Sequence, residues 1–340
     1  MISSNKKEAI NPKEILTQSE IYFIYLLHFD RLLSQDDPLL ISPANQDLIL
    51  FEFVGTRAFR QTMTLELNLI LANPDTLSES DMKSRNNLII EYADQPNLIF
   101  QVAIHLAGSN KRLFLVDIDD SHQAYSKCEK ALKTQSLINK LVSEGDLTTA
   151  ISSHEQNVDL WASLNRDREQ TVADQVLEII NNDPSPKKVA VVQGTIHAPT
   201  SQIVQNNSPL KTEVVNFSPD LPLEAKLWLK KASGSEISRI EYLQAFITQF
   251  LLLPGARQFY DLEDYNQQVM GEANQIATLL TAKQIEELLA LYQSLYRSHL
   301  RQLMPRSPKN ASYFKNSYTP FVYRSAIKEL FQTVKFWTKK

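Results

Sequence analysis

Glycine is scarce in this chain, at 7 of 340 residues, or about 2% where roughly 7% is usual. That scarcity excludes a glycine-rich phosphate loop and most all-β designs built on tight turns. Cysteine occurs once, as Cys128, so neither an internal disulfide nor a cysteine-only zinc site can form. The six histidines are too few for a histidine-rich metal cage. No Walker loop, GxGxxG, GxSxG, HExxH or CxxC occurs. Kinases, dinucleotide-dependent dehydrogenases, nucleophile-elbow hydrolases and zincins are thereby set aside. The most apolar runs, Ile21–Phe29 and Phe250–Pro254, fall well short of the ~18–20 residues of a membrane span. No apolar stretch follows the N-terminal lysines, so a secretory signal is not expected. Together with the single cysteine, this points to a reducing, cytoplasmic setting. Basic and acidic residues number 35 and 39, a net charge of -4, so no nucleic-acid surface is expected.

What is present is an ordinary globular composition, 43% hydrophobic and 22% charged. The length suits about two domains of ~150 residues or one large α/β domain. Residues 1–19 are polar and read as a tail. Ile21–His28 (IYFIYLLH) reads as a buried strand, with a helix of the same span as its rival because so short an apolar run has no telling period, and Asp47–Val54 (DLILFEFV) as a second buried strand closed by Gly55. Residues 57–72 read as a helix with an apolar face of Phe59, Met63, Leu65, Leu67 and Ile70, stopped at Asn73-Pro74. Residues 86–107 read as helix interrupted at Pro96. LFLVDID follows as a third strand, with its polar residues at the C-terminal end.

Residues 121–150 and 155–181 are helical in pattern. In the second stretch Val172, Val176, Ile179 and Ile180 mark one buried face. VAVVQ, ending at Gly194, is a continuous apolar run of the kind that parallel strands buried on both sides display. Glu213–Phe217 is a further short strand. From about residue 222 the pattern is helical. Thr281 and Gln284 form a capping box, followed by the amphipathic series Ile285, Leu288, Leu289, Tyr292, Leu295 and Tyr296. Strands alternating with helices predict an α/β fold, a mostly parallel central sheet covered by helices. The expected organisation is a tail at 1–19, an α/β domain at 20–222 and a helical C-terminal region at 223–340.

Ligands of open parallel sheets sit beyond the carboxyl ends of the strands. The polar residues there are His28, Glu52, Asp117, Asp119, Asp120 and His197. Histidines and carboxylates on one rim suit a divalent metal through nitrogen and oxygen ligands. Each also has a plainer reading. His28 fits a satisfied core histidine. Glu52 fits a strand residue on a wet edge, although a carboxylate in an apolar run needs a partner. Asp119 and Asp120 fit a helix N-cap. His122 and His154 fit loop or helix-surface positions, His105 a packed helical one, and His299 a helix C-terminus.

The stretch Asn165-Arg166-Asp167-Arg168-Glu169 to Ala173, then a Pro-rich turn and VAVVQGTIHAP, resembles the TraB/Tiki, haem-binding ChaN-like and erythromycin-esterase-like superfamily. That superfamily pairs two strand-end GxxH motifs and places an arginine-led helix before the second. Gly194-Thr195-Ile196-His197 matches the second motif, Arg166 or Arg168 the arginine, Glu52 the glutamate and Asp117 or Asp119 the acidic residue. The first motif departs from the pattern: Tyr25 stands where the glycine belongs, in Tyr25-Leu26-Leu27-His28. The match covers roughly residues 20–218.

The resemblance implies a hydrolase of an ester, amide or peptide bond in a small-molecule or peptide substrate. A metal held by His28, His197, Glu52 and Asp119 would assist, with Arg166 or Arg168 meeting a carboxylate or developing oxyanion. Two other readings stay open. One is a binding protein holding haem through Tyr25 or His28. The other is an interaction scaffold presenting Leu288, Tyr292 and Tyr296. Oligomeric state is open.

Overall fold

The computed structural model describes residues 20–26, 43, 46–72, 99, 102–103, 105–182, 188–216, 221–260, 267–303 and 311–337. Five strands form one all-parallel sheet: β1 (Glu20–Leu26), β2 (Leu48–Glu52), β3 (Arg112–Val116), β4 (Lys188–Gly194) and β5 (Lys211–Asn216). Their spatial order is β3-β2-β4-β1-β5. The helices are α1 (Arg57–Ala72), α2 (Tyr125–Ser143), α3 (Leu147–Asn181), α4 (Pro199–Asn207), α5 (Leu223–Ala232), α6 (Arg239–Ile247), α7 (Leu253–Tyr260), α8 (Gln267–Leu279), α9 (Ala282–Leu303) and α10 (Ala311–Trp337). The α/β expectation is met, and no strand follows residue 222 among the described residues. The reading of residues 86–107 falls largely outside the described residues.

The chain divides into two compact units. One comprises residues 1–125 and 167–219, the other 126–166 and 220–340. Residues 126–166 therefore group with the C-terminal helices, and α3 contributes to both units.

The sheet is apolar on both faces, as strands covered on both sides must be. Ile24, Ile49, Phe51, Ala190 and Val192 pack with Met63, Leu67, Ile70 and Leu71 of α1. The alternate residues Ile21, Phe23, Leu48, Leu50, Val189 and Val191 pack with Val172, Ala173, Val176 and Ile180 of α3 and Val204 of α4. The free edge of β3 is covered by a side chain. Asn68 of α1 donates to Leu113 O at 2.7 Å and accepts from Leu113 N at 3.0 Å, so these backbone groups do not go unpaired.

β2 and β4 are neighbours whose outgoing chains diverge, β2 toward β3 and β4 toward β5. Such a switch point is where open α/β sheets place ligands.

In the helical unit the predicted capping box at Thr281 is formed. Thr281 N donates to Gln284 Oε1 at 2.9 Å and Gln284 N to Thr281 Oγ1 at 3.3 Å. Leu288, Tyr292 and Tyr296 are buried within the chain, so they are core and not a surface offered to a partner. Gly145 ends α2 with φ +79° and sends its N–H to Val142 O. A Cβ there would stand 2.8 Å from the Tyr296 ring. Gly145→Ala is expected to destabilise the protein by about 1–3 kcal/mol through the backbone and the clash together, measured by urea denaturation.

Candidate functional site

β2, β4 and β1 end in register. Phe51 pairs with Val192 and Tyr25 with Gln193, so Glu52, Gln193 and Tyr25 stand side by side. Strand alternation puts all three on the α3 face, above the apolar rows Leu50–Val191–Phe23 and Leu48–Val189–Ile21. The carboxyl end of this face is therefore a polar row on an apolar floor.

α3 supplies the charges above that row. Arg168 and Glu169, both buried, precede Val172 and Ala173 by one turn and so continue the stripe that packs on the sheet. Arg168 Nε lies 3.1 and 3.0 Å from the two Asp117 oxygens, its Nη2 lies 2.6 Å from Asp117 Oδ2, and the same Nη2 donates to Glu52 Oε1. Glu52 Oε2 accepts from Gly194 N at 2.9 Å. One guanidinium thus joins the ends of β2 and β3, and a backbone bond carries the link to β4.

Asp117 has φ +145°, a conformation costing about 1–3 kcal/mol in a non-glycine residue. It is held from every side. Gln175 accepts from its N–H at 2.9 Å and donates to its carbonyl at 3.1 Å, Arg60 donates to the same carbonyl, and its carboxylate accepts from Ile118 N at 2.7 Å.

β4 runs into a short 3-10 helix, Thr195–His197, and then α4. His197 is 1% exposed. Its Nε2 lies 3.0 Å from Glu52 Oε1 and its Nδ1 3.9 Å from Glu169 Oε1. The first contact is close but off the hydrogen-bond line, and neither ring nitrogen has a hydrogen-bond partner among the described residues. α4 begins at Ala198-Pro199 without a side-chain cap of its own. Tyr25 provides one from β1: its hydroxyl accepts from Ser201 N at 3.2 Å and donates to Ala198 O at 3.1 Å. Tyrosine in place of the expected glycine therefore anchors the turn that carries His197. Burial pushes the Tyr25 phenol up to about 12.

Of the residues singled out in the sequence, Glu52, His197, Arg168 and Tyr25 come together. Arg168 meets carboxylates, and they are the chain's own: its Nε and Nη2 are committed to Asp117 and Glu52, so it positions Glu52. Arg166 is exposed and donates to Ala232 O at 2.7 Å, a cap on the last turn of α5, and does not join the cluster. Asp119 holds a turn six residues ahead of α2 and does not cap a helix, accepting from Ser121 N at 3.0 Å and pairing with Arg57 at 3.4 Å and Arg60 at 3.7 Å. Burial works to raise its pKa, but the Ser121 and Arg57 hydrogen bonds and the Arg60 charge outweigh it and lower the value. His28 lies outside the described residues.

Glu169 and Gln193 belong to the site without having been singled out. The signal for Glu169 was its place on the Val172–Val176 stripe, and for Gln193 its place in the alternation of VAVVQ.

The described donors do not fit the metal that the resemblance implies. Among the described residues no group of three or more His, Cys, Asp or Glu side chains is placed to hold an ion. Asp119 is engaged elsewhere, and Glu52 Oε1 already receives Arg168. Haem ligation by Tyr25 fits no better, because a buried phenol with its oxygen bonded twice is not an available tyrosinate.

Two histidines differ from their expected surroundings. His105 is exposed. His154 is fully buried against Phe246 and Phe250, with Nδ1 3.7 Å from Glu224 Oε1. Desolvation lowers His154 to about 4 and raises Glu224 to about 8, so near neutrality both are uncharged.

Comparison of the chain with protein families, curated proteins and solved structures finds no match.

Two outcomes follow from these contacts. Arg168→Ala leaves two buried carboxylates uncompensated and is expected to cost about 3–5 kcal/mol in chemical denaturation, whereas Tyr25→Phe removes one cap and costs about 1–2 kcal/mol. Folded Glu224 keeps its proton up to about pH 8, while the unfolded chain releases it near 4.5. Stability is therefore lost as pH rises through that window. His154, about 4 when folded against 6.5 unfolded, works in the opposite sense below about pH 6.5, so Glu224→Gln is expected to flatten the loss above that value, with denaturation midpoints at about pH 7 and about pH 8 differing less in the variant than in the parent.

Proposed function

We propose that the chain is a hydrolase of the Tiki and erythromycin-esterase-like kind, acting on an ester, amide or peptide bond with His197 as its general base. The observation that carries this reading is the placement of His197. It is a buried imidazole at a topological switch point, flanked by two carboxylates, with both ring nitrogens lacking a hydrogen-bond partner among the described residues. His154 also has both nitrogens without a hydrogen-bond partner among the described residues, but it sits among aromatic side chains, whereas His197 stands at the strand ends where open parallel sheets take ligands.

Glu52 faces Nε2 and favours the tautomer that carries its proton there, which leaves the Nδ1 lone pair as the base. Arg168 and Gly194 N–H fix Glu52, so the imidazole is oriented before substrate arrives. Nδ1 takes a proton from water as the water oxygen bonds to the substrate carbonyl carbon. The tetrahedral species then collapses, the bond to the leaving group breaks, and His197 returns the proton to the departing oxygen or nitrogen. No metal is used in this sequence.

Removing a general base typically lowers turnover about 10²–10⁴-fold. His197→Ala is expected to show a loss of that order against acetamide, measured as ammonia release, with an unchanged circular dichroism spectrum. Full activity in a folded His197→Ala protein would refute the proposal.

A further inference from the structure

One member of the polar row has no part in this proton transfer. Gln193 stands between Glu52 and Tyr25, with Val191 and Val189 below it on the same face. At that position a strand buried on both sides ordinarily carries an apolar residue. The Gln193 side chain is 2% exposed, and neither its Oε1 nor its Nε2 has a hydrogen-bond partner among the described residues. Thr200 Oγ1, fully buried on α4, is in the same condition, as are both nitrogens of His197. Three buried side chains around the end of β4 thus present five polar atoms without a hydrogen-bond partner among the described residues. Stability alone would select hydrocarbon there, since buried polar groups left unmade are costly.

We propose that Gln193 recognises the substrate, and that the substrate is a primary carboxamide. This rests on the hydrolase reading and narrows its bond class. A glutamine amide presents an N–H donor and a C=O acceptor on one edge, and a primary carboxamide offers the matching acceptor and donor side by side. An ester has no donor. A trans peptide bond carries its N–H and C=O on opposite edges. A carboxylate has no donor either, and meets the negative side chains of Glu52 and Glu169. Paired edge to edge, Gln193 Nε2–H polarises the substrate carbonyl and Oε1 holds the amide N–H. Hydrolysis forms a C–O bond from water, breaks the C–N bond and passes the water proton through His197 to the leaving nitrogen. The products are a carboxylic acid and ammonia.

The test uses Gln193→Leu in the full chain, with acetamide as the probe. Gln193→Leu is expected to unfold roughly 2–4 °C above the parent, because the unmet amide is gone. A lower midpoint would show the carboxamide satisfied within the folded protein and would overturn the proposal. Acetamide, with four heavy atoms, is expected to bind the parent in about the millimolar range, read by ligand-observed NMR. That binding should disappear in Gln193→Leu and also in Gln193→Glu, which keeps the shape but replaces the donor. Acetate and methyl acetate should bind neither. Equal acetamide binding to the parent and both variants would overturn the proposal.

The two readings fail separately. Acetamide bound through Gln193 without release of ammonia supports the recognition and counts against His197 as a base. Turnover whose KM is unchanged in Gln193→Leu supports the hydrolase and overturns the carboxamide.

Discussion

The arrangement at the strand ends depends on one buried guanidinium. Arg168 sits on α3 and grips Asp117 with two nitrogens while one of them also reaches Glu52. Such forked pairs fix direction as well as distance. A buried ion pair of this sort is weak evidence for stability, since desolvation consumes much of its attraction. Its worth here is geometric. It fixes how α3 meets the carboxyl ends of β2 and β3, and it turns Glu52 toward His197. The strained backbone of Asp117 fits the same view, because nothing short of the bonds from Gln175, Arg60 and Arg168 would hold that conformation.

Tyr25 solves a second problem with one atom. A short helix that opens with Ala198-Pro199 has no capping side chain of its own. A hydroxyl from a neighbouring strand both accepts the N–H of Ser201 and donates to the carbonyl of Ala198. The turn bearing His197 is thereby tied to β1 as well as to β4. A glycine at that position would leave the turn without this restraint, so the departure from the GxxH pattern has a structural use.

Much of the fold was readable because its signals are local. Continuous apolar runs marked the parallel strands, and the reading of α1 as residues 57–72 coincides with the observed Arg57–Ala72. The capping box at Thr281 announced α9. The site was readable only in part. His197 and Glu52 stood out as polar residues at strand ends. Arg166 and Arg168 stand as alternatives by sequence, although two residues along a helix are about 200° apart and only one of them can face the sheet. Applying the helical stripe more strictly would have separated them. Val172 and Val176 lie on the same side as Arg168 and Glu169, four residues apart or nearly so, and opposite to Arg166. The same rule would have found His154, which shares a face with Ala150 and Val158, both buried. Gln193 was hidden by its neighbours, because an apolar run read as a whole does not draw attention to its final polar member.

The strand order has a consequence for how the molecule is assembled during synthesis. β1 and β2 leave the ribosome before β4, yet they are not neighbours, because β4 lies between them. The middle of the sheet is therefore supplied only after residues 126–166, which group with the other unit, have been made. Until then two apolar strands have no lateral partner on their facing sides. Over that interval the facing strand edges stay open, and completion of the sheet is a long-range event, slow by nature.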